Sequence, residues 1–395
     1  MGERDRRLAY ELSAGVLRRQ RELDDLLDLR RADPRLHDVL RLGAYQLRHL
    51  TRVPAHAAVS TSVELARETV GEGSTGFVNR TLRHLAGETG HEKRETGSHP
   101  DWLVARWKAR FGERETQHLV AWNDTRPPLI IQPIRWDRET LEGQIRNAGI
   151  HFRNAPWNAG LELGSGDRVS PFPFPRSVPG YDQGAFIVQD PAHALVARFA
   201  AIPRGEFVYD ACAAPGGKSV ALEALGARVL AGELKRDRIV RLVGTVRRAG
   251  VAVRTLAADL EAAPLRPGSL DAVFVDVPCT ATGTMRRHPD ARWRLKPEIF
   301  VRAAARQRRL LTAAAALVRP GGLLIYATCS LEPEENALVV NEFLREHPNF
   351  ERARPPHGAD FPAELLTDDG DFQSLPQRHG IDGAYAARLV RVAKT

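Results

Sequence analysis

Apolar residues recur at helical spacing through the first 90 residues of the chain. Val59, Val63, Ala66 and Val70 stand at i, i+4, i+7 and i+11, and Val78, Leu82 and Leu85 carry the stripe into a second segment. That period predicts amphipathic helices joined by short connections, with these residues as core faces. The polar faces hold Arg35, Arg41, Arg48, Arg52, Arg80 and Arg83, with Tyr45 and His84 among them. Such a face is either plainly solvated or laid out for phosphates.

Residues 87–100 are polar and glycine-containing and read as a linker. Beyond them Leu103, Trp107 and Phe111 form another helical stripe, 128–135 reads as a strand and 140–148 as a short helix, suggesting a small α/β unit. Alternating Pro and Phe between residues 171 and 179 exclude a regular helix and predict an extended segment.

From about residue 191 the pattern becomes a strand-then-helix alternation. Strands are expected over 206–210, 228–233, 251–258, 270–277 and 323–330, helices over 217–226, 235–249, 297–318 and 334–346, and a last strand over 384–392. This predicts a mostly parallel, doubly wound sheet with its ligand site at the carboxyl ends of the strands. Residues 351–380, rich in Pro, Asp and Gly, read as a surface excursion.

The first strand-to-helix turn, Asp210-Ala-Cys-Ala-Ala-Pro-Gly-Gly-Lys-Ser219, narrows the ligand. Adjacent glycines let a backbone approach a nucleotide-sized molecule, and the helix that follows offers free N–H groups. Gly217-Lys218-Ser219 matches the end of a phosphate-binding P-loop, but the position five before Gly217 is Cys212 where that loop requires glycine. The spaced glycines of a dinucleotide fingerprint are missing too. A less charged ligand such as S-adenosylmethionine remains, beside the plain alternative of a tight turn without a ligand.

Composition changes this picture only in part. The 395 residues suffice for two or three domains, and 43% hydrophobic residues suffice for ordinary cores. A net charge of +8 favours a polyanionic partner. No apolar run of about 18 residues is present and the N-terminus is charged, so a soluble, cytoplasmic protein without a membrane span is expected. The three cysteines, Cys212, Cys279 and Cys329, are too scattered for zinc or a disulfide scaffold. Each falls at the end of a predicted strand; a buried cysteine is ordinarily a small hydrophobe, but for Cys279 and Cys329 following helix N-termini are expected to favour thiolate.

Strand ends also present Asp210, Glu233, Asp259 and Asp276, carboxylates suited to an ammonium, ribose hydroxyls or an adenine amine. Asp259 by itself reads more simply as a cap. Two thiols, a carboxylate and a methyl donor suggest methylation of a carbon too inert to attack the donor unaided.

The motifs Asp210-Ala-Cys-Ala-Ala-Pro-Gly-Gly-Lys218, Asp276-Val-Pro-Cys-Thr-Ala-Thr-Gly-Thr-Met-Arg-Arg-His-Pro-Asp290 and Tyr326-Ala-Thr-Cys-Ser-Leu-Glu-Pro-Glu-Glu-Asn336 resemble, in order and spacing, the RsmB/Nop/Sun family of RNA cytosine-5 methyltransferases. Leu42-Gly-Ala-Tyr-Gln-Leu47 and Val53-Pro-Ala-His-Ala-Ala58 resemble the NusB-like domain of the RsmB branch, with the start of the chain falling near the middle of that domain. The resemblance implies an α/β, Rossmann-like methyltransferase domain over 186–395, an all-α NusB-like RNA-binding domain over 1–90 and a linker with a small α/β subdomain over 91–185.

It implies a monomer that uses S-adenosylmethionine and no metal, with small-subunit rRNA as its partner and transfer RNA as the alternative. Cys329 would attack carbon 6 of cytosine, Asp276 would hold the base edge, and Cys279 would assist loss of the carbon 5 proton and release of the adduct. Cys212, Ala213, Ala214, Pro215, Gly216, Gly217, Lys218, Glu233, Asp259 and Asp276 would surround the cofactor, and Arg286, Arg287 and His288 would meet RNA. Two rivals remain. A DNA methyltransferase would use the Pro-Cys cysteine with a separate Glu-Asn-Val tripeptide, which this sequence lacks. A non-catalytic ribosome assembly factor predicts decay in the pocket, whereas both cysteines, Asp276 and the glycine loop are intact.

Overall fold

The computed structural model describes residues 2–87, 97–164 and 174–392. Most of the expected linker, and the start of the Pro/Phe segment, lie outside the described residues. The chain divides into two compact units, Met1–Arg126 with Met285–Arg294, and Pro127–Thr284 with Leu295–Thr395.

The first unit is helical. Helices α1 (Glu3–Leu27), α2 (His37–His49), α3 (Ala55–Thr69) and α4 (Thr75–Gly87) bury Leu23, Leu40, Ala44, Ala66, Val78 and Leu82 in one core. The stripe Val59, Ala66, Val78, Leu82 and Leu85 therefore faces inward, as its period requires. Helices α5 (Asp101–Phe111) and α6 (Glu113–Asn123) fall in this compact unit as well. The same unit takes up residues 285–294. There Arg292 is fully buried, donating to Asp124 Oδ1 at 2.8 Å and to the carbonyls of Ser98 and Asn123 at 3.1 and 3.0 Å. A buried guanidinium is tolerable only with its donors used in this way.

The second unit contains two sheets. Strand β1 (Leu129–Pro133), helix α7 (Arg138–Asn147) and strands β2 (Phe152–Asn154), β3 (Leu161–Leu163) and β4 (Phe186–Val188) form a small antiparallel sheet of order β2-β3-β1-β4. Sequence reading finds only β1 and α7, because three-residue strands carry too little alternation to register. Of the Pro/Phe segment, Pro175–Ser177 forms a 3-10 turn and Val178 is buried.

The larger sheet follows the predicted alternation. After α8 (Pro191–Ala200) come β5 (Phe207–Ala211), α9 (Gly217–Ala224), β6 (Arg228–Glu233), α10 (Arg236–Ala249), β7 (Arg254–Ala257) and β8 (Leu270–Asp276). Helix α11 (Ala291–Arg294) lies in the helical unit. The sheet then resumes with α12 (Ile299–Leu317), β9 (Val318–Thr328), α13 (Ala337–Glu346), β10 (Phe350–Arg352), β11 (Phe372–Ser374), α14 (Pro376–His379) and β12 (Ala384–Arg391).

The strand order is β10-β12-β9-β8-β5-β6-β7, parallel from β9 to β7, with β12 antiparallel to β9 and β11 paired to β12. Alternate residues serve opposite faces. In β8, Ala272 and Phe274 join Leu195, Phe199, Leu222 and Leu242 of α8, α9 and α10, while Val273 and Val275 join Leu310, Leu311, Val340 and Phe343 of α12 and α13.

Residues 351–380 are not simply a surface excursion. Leu365, Asp371 and Phe372 are buried, and the Asp371 carboxylate takes the Tyr385 hydroxyl and the Arg352 guanidinium, tying this segment to β12 and β10. Turn-forming residues set the backbone there, but its few apolar side chains reach the core.

Because the chain moves from β5 outward to β7 and then returns to β8 on the other side of β5, the sheet has a topological switch beside β5. Ligands of open α/β sheets bind at such a point, outside the carboxyl ends of the strands.

Candidate active site

The switch point is built for a ligand with several donors. Between β5 and α9 the backbone turns sharply: Cys212 has φ +64°, the peptide before Pro215 is cis, and Gly216 has φ +106°. A side chain at Gly216 would meet both this left-handed conformation and Leu242, 2.9 Å from its first carbon. Ala213 N–H donates to the Gly232 carbonyl at 2.9 Å, holding the loop over the end of β6.

Two buried carboxylates look into this region with lone pairs to spare. Asp210 is fully buried; one oxygen accepts from the Ser219 hydroxyl and Oδ1 has no hydrogen-bond partner. Burial lifts its carboxyl to about 7, with Ser219 opposing the shift and the Asp276 charge adding to it. Glu233, also buried, spends Oε1 on the backbone N–H groups of Leu234 and Lys235 at 3.0 and 3.1 Å, leaving Oε2 without a hydrogen bond and 3.5 Å from Arg238 Nε. Unfilled acceptors of this kind are costly in a closed core and are expected where a ligand brings donors. Hydroxyl, amine and ammonium donors of S-adenosylmethionine fit them. Gln189, which sequence reading did not single out, adds a buried Oε1 without a hydrogen-bond partner; its amide nitrogen lies 3.3 Å from where a side chain on Gly217 would begin.

Lys218 pairs with Asp276, donating to Oδ2 at 2.6 Å across the ends of α9 and β8. Burial works against its ammonium, but the charge and hydrogen bond of Asp276, with Cys329 and Asp210 adding to them, together raise Lys218 above its ordinary value.

Beside this pair stand the two cysteines, brought together from loops fifty positions apart. Cys279 Sγ and Cys329 Sγ are 3.1 Å from each other, and the Cys329 backbone N–H donates to Cys279 Sγ at 3.4 Å. The expected helix N-termini are absent: short 3-10 turns at Thr282–Thr284 and Pro333–Glu335 follow the two residues instead. The Cys279 thiol is accordingly pushed up, by its hydrogen bond to Cys329, by burial and by the surrounding negative charge. Burial likewise pushes the Cys212 thiol up to about 12, with Glu233, Asp276 and Asp210 adding to the shift.

A dense polar network underlies the two thiols. Ser330 Oγ and Gln307 Nε2 donate to the buried Glu335 carboxylate at 2.6 and 2.8 Å, and the Thr280 N–H joins them at 2.9 Å. Burial raises Glu335 above its ordinary value and these donors oppose it. Glu335 and Asn336 stand inside the quoted Thr-Cys-Ser motif, yet only the tertiary fold shows what they touch.

Asp259 follows β7 at the same carboxyl edge as Glu233, whose carbonyl accepts from the adjacent Ala258 N–H at 3.1 Å. Asp259 is exposed and caps the turn Leu260–Ala262, accepting from Glu261 N–H at 3.0 Å. Arg286, Arg287 and His288 belong to the helical unit: Arg286 lies over the Trp122 ring, 4.0 Å from its centroid, and donates to the Arg126 carbonyl, while His288 is exposed. Among the described residues no cluster of His, Cys, Asp and Glu is placed to hold a metal ion, and no helix is long and apolar enough to cross a membrane.

A doubly wound sheet with a glycine loop at its switch point, and buried acceptors without hydrogen bonds at the ends of β5 and β6, fits a methyltransferase that uses S-adenosylmethionine. Comparison with known proteins makes the assignment specific. Residues 199–390 match the model of the 16S rRNA methyltransferase RsmB/F family, 1–87 that of the NusB family and 99–170 the RsmF/B-like ferredoxin-like domain. The chain is 34% identical to a probable ribosomal RNA small subunit methyltransferase B of Synechocystis, covering 98% of this chain and 91% of that protein. It is 32% identical to a ribosomal RNA small subunit methyltransferase B of Erwinia tasmaniensis, covering 99% and 92%. Among solved structures, PH0851 superposes with a TM-score of 0.82 at 26% identity over 98% of this chain and 90% of that one. NSun6 from Pyrococcus horikoshii shares the fold, with a TM-score of 0.62 at 18% identity over 75% and 99%. The chain belongs to the RsmB/F family of methyltransferases.

Proposed function

We propose that this protein methylates carbon 5 of a cytosine in small-subunit rRNA through a covalent adduct on Cys329. The observation that carries this reading is the pair of thiols 3.1 Å apart beside the Lys218–Asp276 ion pair, at the ligand-binding edge of the sheet. The names of the full-length relatives support rRNA as the substrate.

In this reading the Cys329 sulfur forms a bond to carbon 6, the ring electrons shift toward the amidine side, and Asp276 stabilises the protonated ring nitrogen. Carbon 5 thereby becomes nucleophilic. S-adenosylmethionine supplies the methyl group. Cys279 then takes part in removing the carbon 5 proton, after which the carbon–sulfur bond breaks and Cys329 leaves as thiolate. Glu233, Asp210 and the loop from Cys212 to Gly217 hold the cofactor, and the exposed His288 is a candidate RNA contact with its neighbours Arg286 and Arg287.

The test is to incubate the protein with methyl-labelled S-adenosylmethionine and either unmethylated small-subunit rRNA or transfer RNA, then digest to nucleosides. Label in 5-methylcytidine from rRNA is expected. Label in transfer RNA alone moves the substrate class, and cofactor binding without label in either RNA favours an assembly factor.

A further inference from the structure

Glu335 is an anchor shared by both cysteine loops. It closes the turn Pro333–Glu335 and is fully buried. Its carboxylate collects donors from three segments of chain. The loop after β8 contributes the Thr280 N–H at 2.9 Å and the Thr280 hydroxyl, the loop after β9 contributes Ser330 Oγ at 2.6 Å, and α12 contributes Gln307 Nε2 at 2.8 Å. Gln307 also donates to the Pro278 carbonyl at 3.1 Å. Pro278 and Thr280 flank one thiol, and Ser330 adjoins the other.

Asn336 acts within one loop only. Its Oδ1 accepts from Thr328 Oγ1 at 2.6 Å and its Nδ2 donates to the Ser330 carbonyl at 2.8 Å, bracing the Cys329 turn by itself. The loops also meet directly, through the Gly283 N–H on the Cys329 carbonyl at 3.0 Å and the Leu331 N–H on Thr282 Oγ1 at 2.8 Å, and to these Glu335 adds the one carboxylate that binds the residues next to both thiols and ties them to α12. A carboxylate is an expensive brace in a closed interior, since an apolar pair of similar shape often serves stability as well or better. What a carboxylate adds is four acceptor sites in one plane, which fix several donors in direction as well as distance.

We propose that Glu335 is a positioning residue that sets the separation of the Cys279 and Cys329 sulfurs, and that it acts on the step needing both thiols without touching cofactor or base. The proposal rests on the cysteine-adduct reading above, but its first test does not depend on RNA. Dibromobimane becomes fluorescent when it bridges two neighbouring thiols, and mass spectrometry of the digested protein locates the bridge. Wild type is compared with Glu335→Gln, Glu335→Ala and Thr280→Val.

In Glu335→Gln the amide oxygen takes the Thr280 N–H and the Gln307 donor, while its NH2 meets two hydroxyls that rotate to accept. Glu335→Ala strands the same donors, and Thr280→Val removes one hydroxyl while keeping the backbone bond. Bridging of Cys279 to Cys329 should slow about tenfold in Glu335→Ala, stay near the wild-type rate in Glu335→Gln, and fall between them in Thr280→Val. With RNA, kcat should drop about 100-fold in Glu335→Ala, as displacements of about 1 Å do, with KM for S-adenosylmethionine unchanged and most of the rate restored in Glu335→Gln.

A folded Glu335→Ala that bridges at the wild-type rate overturns the proposal, and so does a Glu335→Gln as impaired as the alanine variant. If Glu335→Ala does not fold, Thr280→Val decides, wild-type bridging there being the overturning result. Bridging rates as expected in a protein that methylates no RNA leave the positioning role standing and remove the cytosine-5 reading instead.

Discussion

The two ends of the site are finished to different degrees. Around β5 and β6, Asp210 and Glu233 each keep a buried oxygen without a hydrogen bond. Around β8 and β9, Glu335, Asn336, Thr280, Thr282 and Ser330 answer one another, and the buried oxygen left without a hydrogen bond there is Gln307 Oε1 behind them. Open acceptors are expected where a mobile ligand brings its own donors, and in the proposed reading cofactor binding supplies the bonds that folding left unmade. Filled networks mark where geometry has to exist before the substrate arrives, because bond formation at carbon tolerates little misplacement. One end is thus built for exchange and the other for rigidity.

The sharpest way to break this contrast is to remove the proposed nucleophile. Cys329→Ala should lower methyl transfer by roughly 10⁴-fold or more while S-adenosylmethionine still binds, as measured by calorimetry beside a labelling assay. Binding lost together with transfer means that the two ends are one structure. Cys279→Ala should also stop turnover, but by accumulating a protein–RNA adduct that survives denaturing electrophoresis; a blocked enzyme without an adduct places Cys279 before bond formation.

At the open end the effects should be smaller and confined to the cofactor. Glu233→Ala should weaken S-adenosylmethionine binding about tenfold, within the range for a buried charged acceptor, and leave thiol bridging at the other end untouched. Slowed bridging in that variant means that the ends are coupled.

Proton binding at Asp210 offers a gentler probe. Its folded carboxyl is lifted to about 7 by burial, so between about pH 4 and that value the folded chain holds a proton that the unfolded chain has lost. The stabilisation is complete below the unfolded pKa and declines as pH rises through the folded one. A cationic cofactor prefers the ionised carboxylate, so its affinity should rise over the same window. Thermal unfolding and cofactor titrations on either side of neutrality measure both, and Asp210→Asn should flatten both profiles; a wild-type profile already flat places Asp210 away from the cofactor's charge. Least affected should be Asp259→Ala, which loses a cap of about 1 kcal/mol and changes cofactor affinity by less than twofold, within surface-substitution scatter.

Sequence alone makes the sheet legible because its strands are continuous apolar runs and its helices are strongly periodic; the strand at 228–233 coincides with β6. The small sheet is not legible beyond β1, since β2, β3 and β4 are three residues each. The glycine loop, Glu233, Asp276 and the two cysteines can be read from motifs, which record chemistry at fixed local spacing. Pairings across the sheet cannot. Lys218 meets Asp276, and Glu335 meets Thr280 and Gln307, through contacts between residues 28 to 58 positions apart. Helix dipoles inferred from the local pattern gave the wrong sign for Cys279, because hydrogen bonding and burial control that thiol.

The central claim is that Cys329 forms the bond to cytosine while Cys279, 3.1 Å away, resolves it. It is tested most directly by isolating the adduct from Cys279→Ala with unmethylated small-subunit rRNA and S-adenosylmethionine, digesting both polymers and sequencing the joined peptide by mass spectrometry. The account predicts a methylated cytidine attached to the peptide carrying Cys329. Attachment at another residue, or methylation that proceeds at full rate in Cys329→Ala, contradicts it.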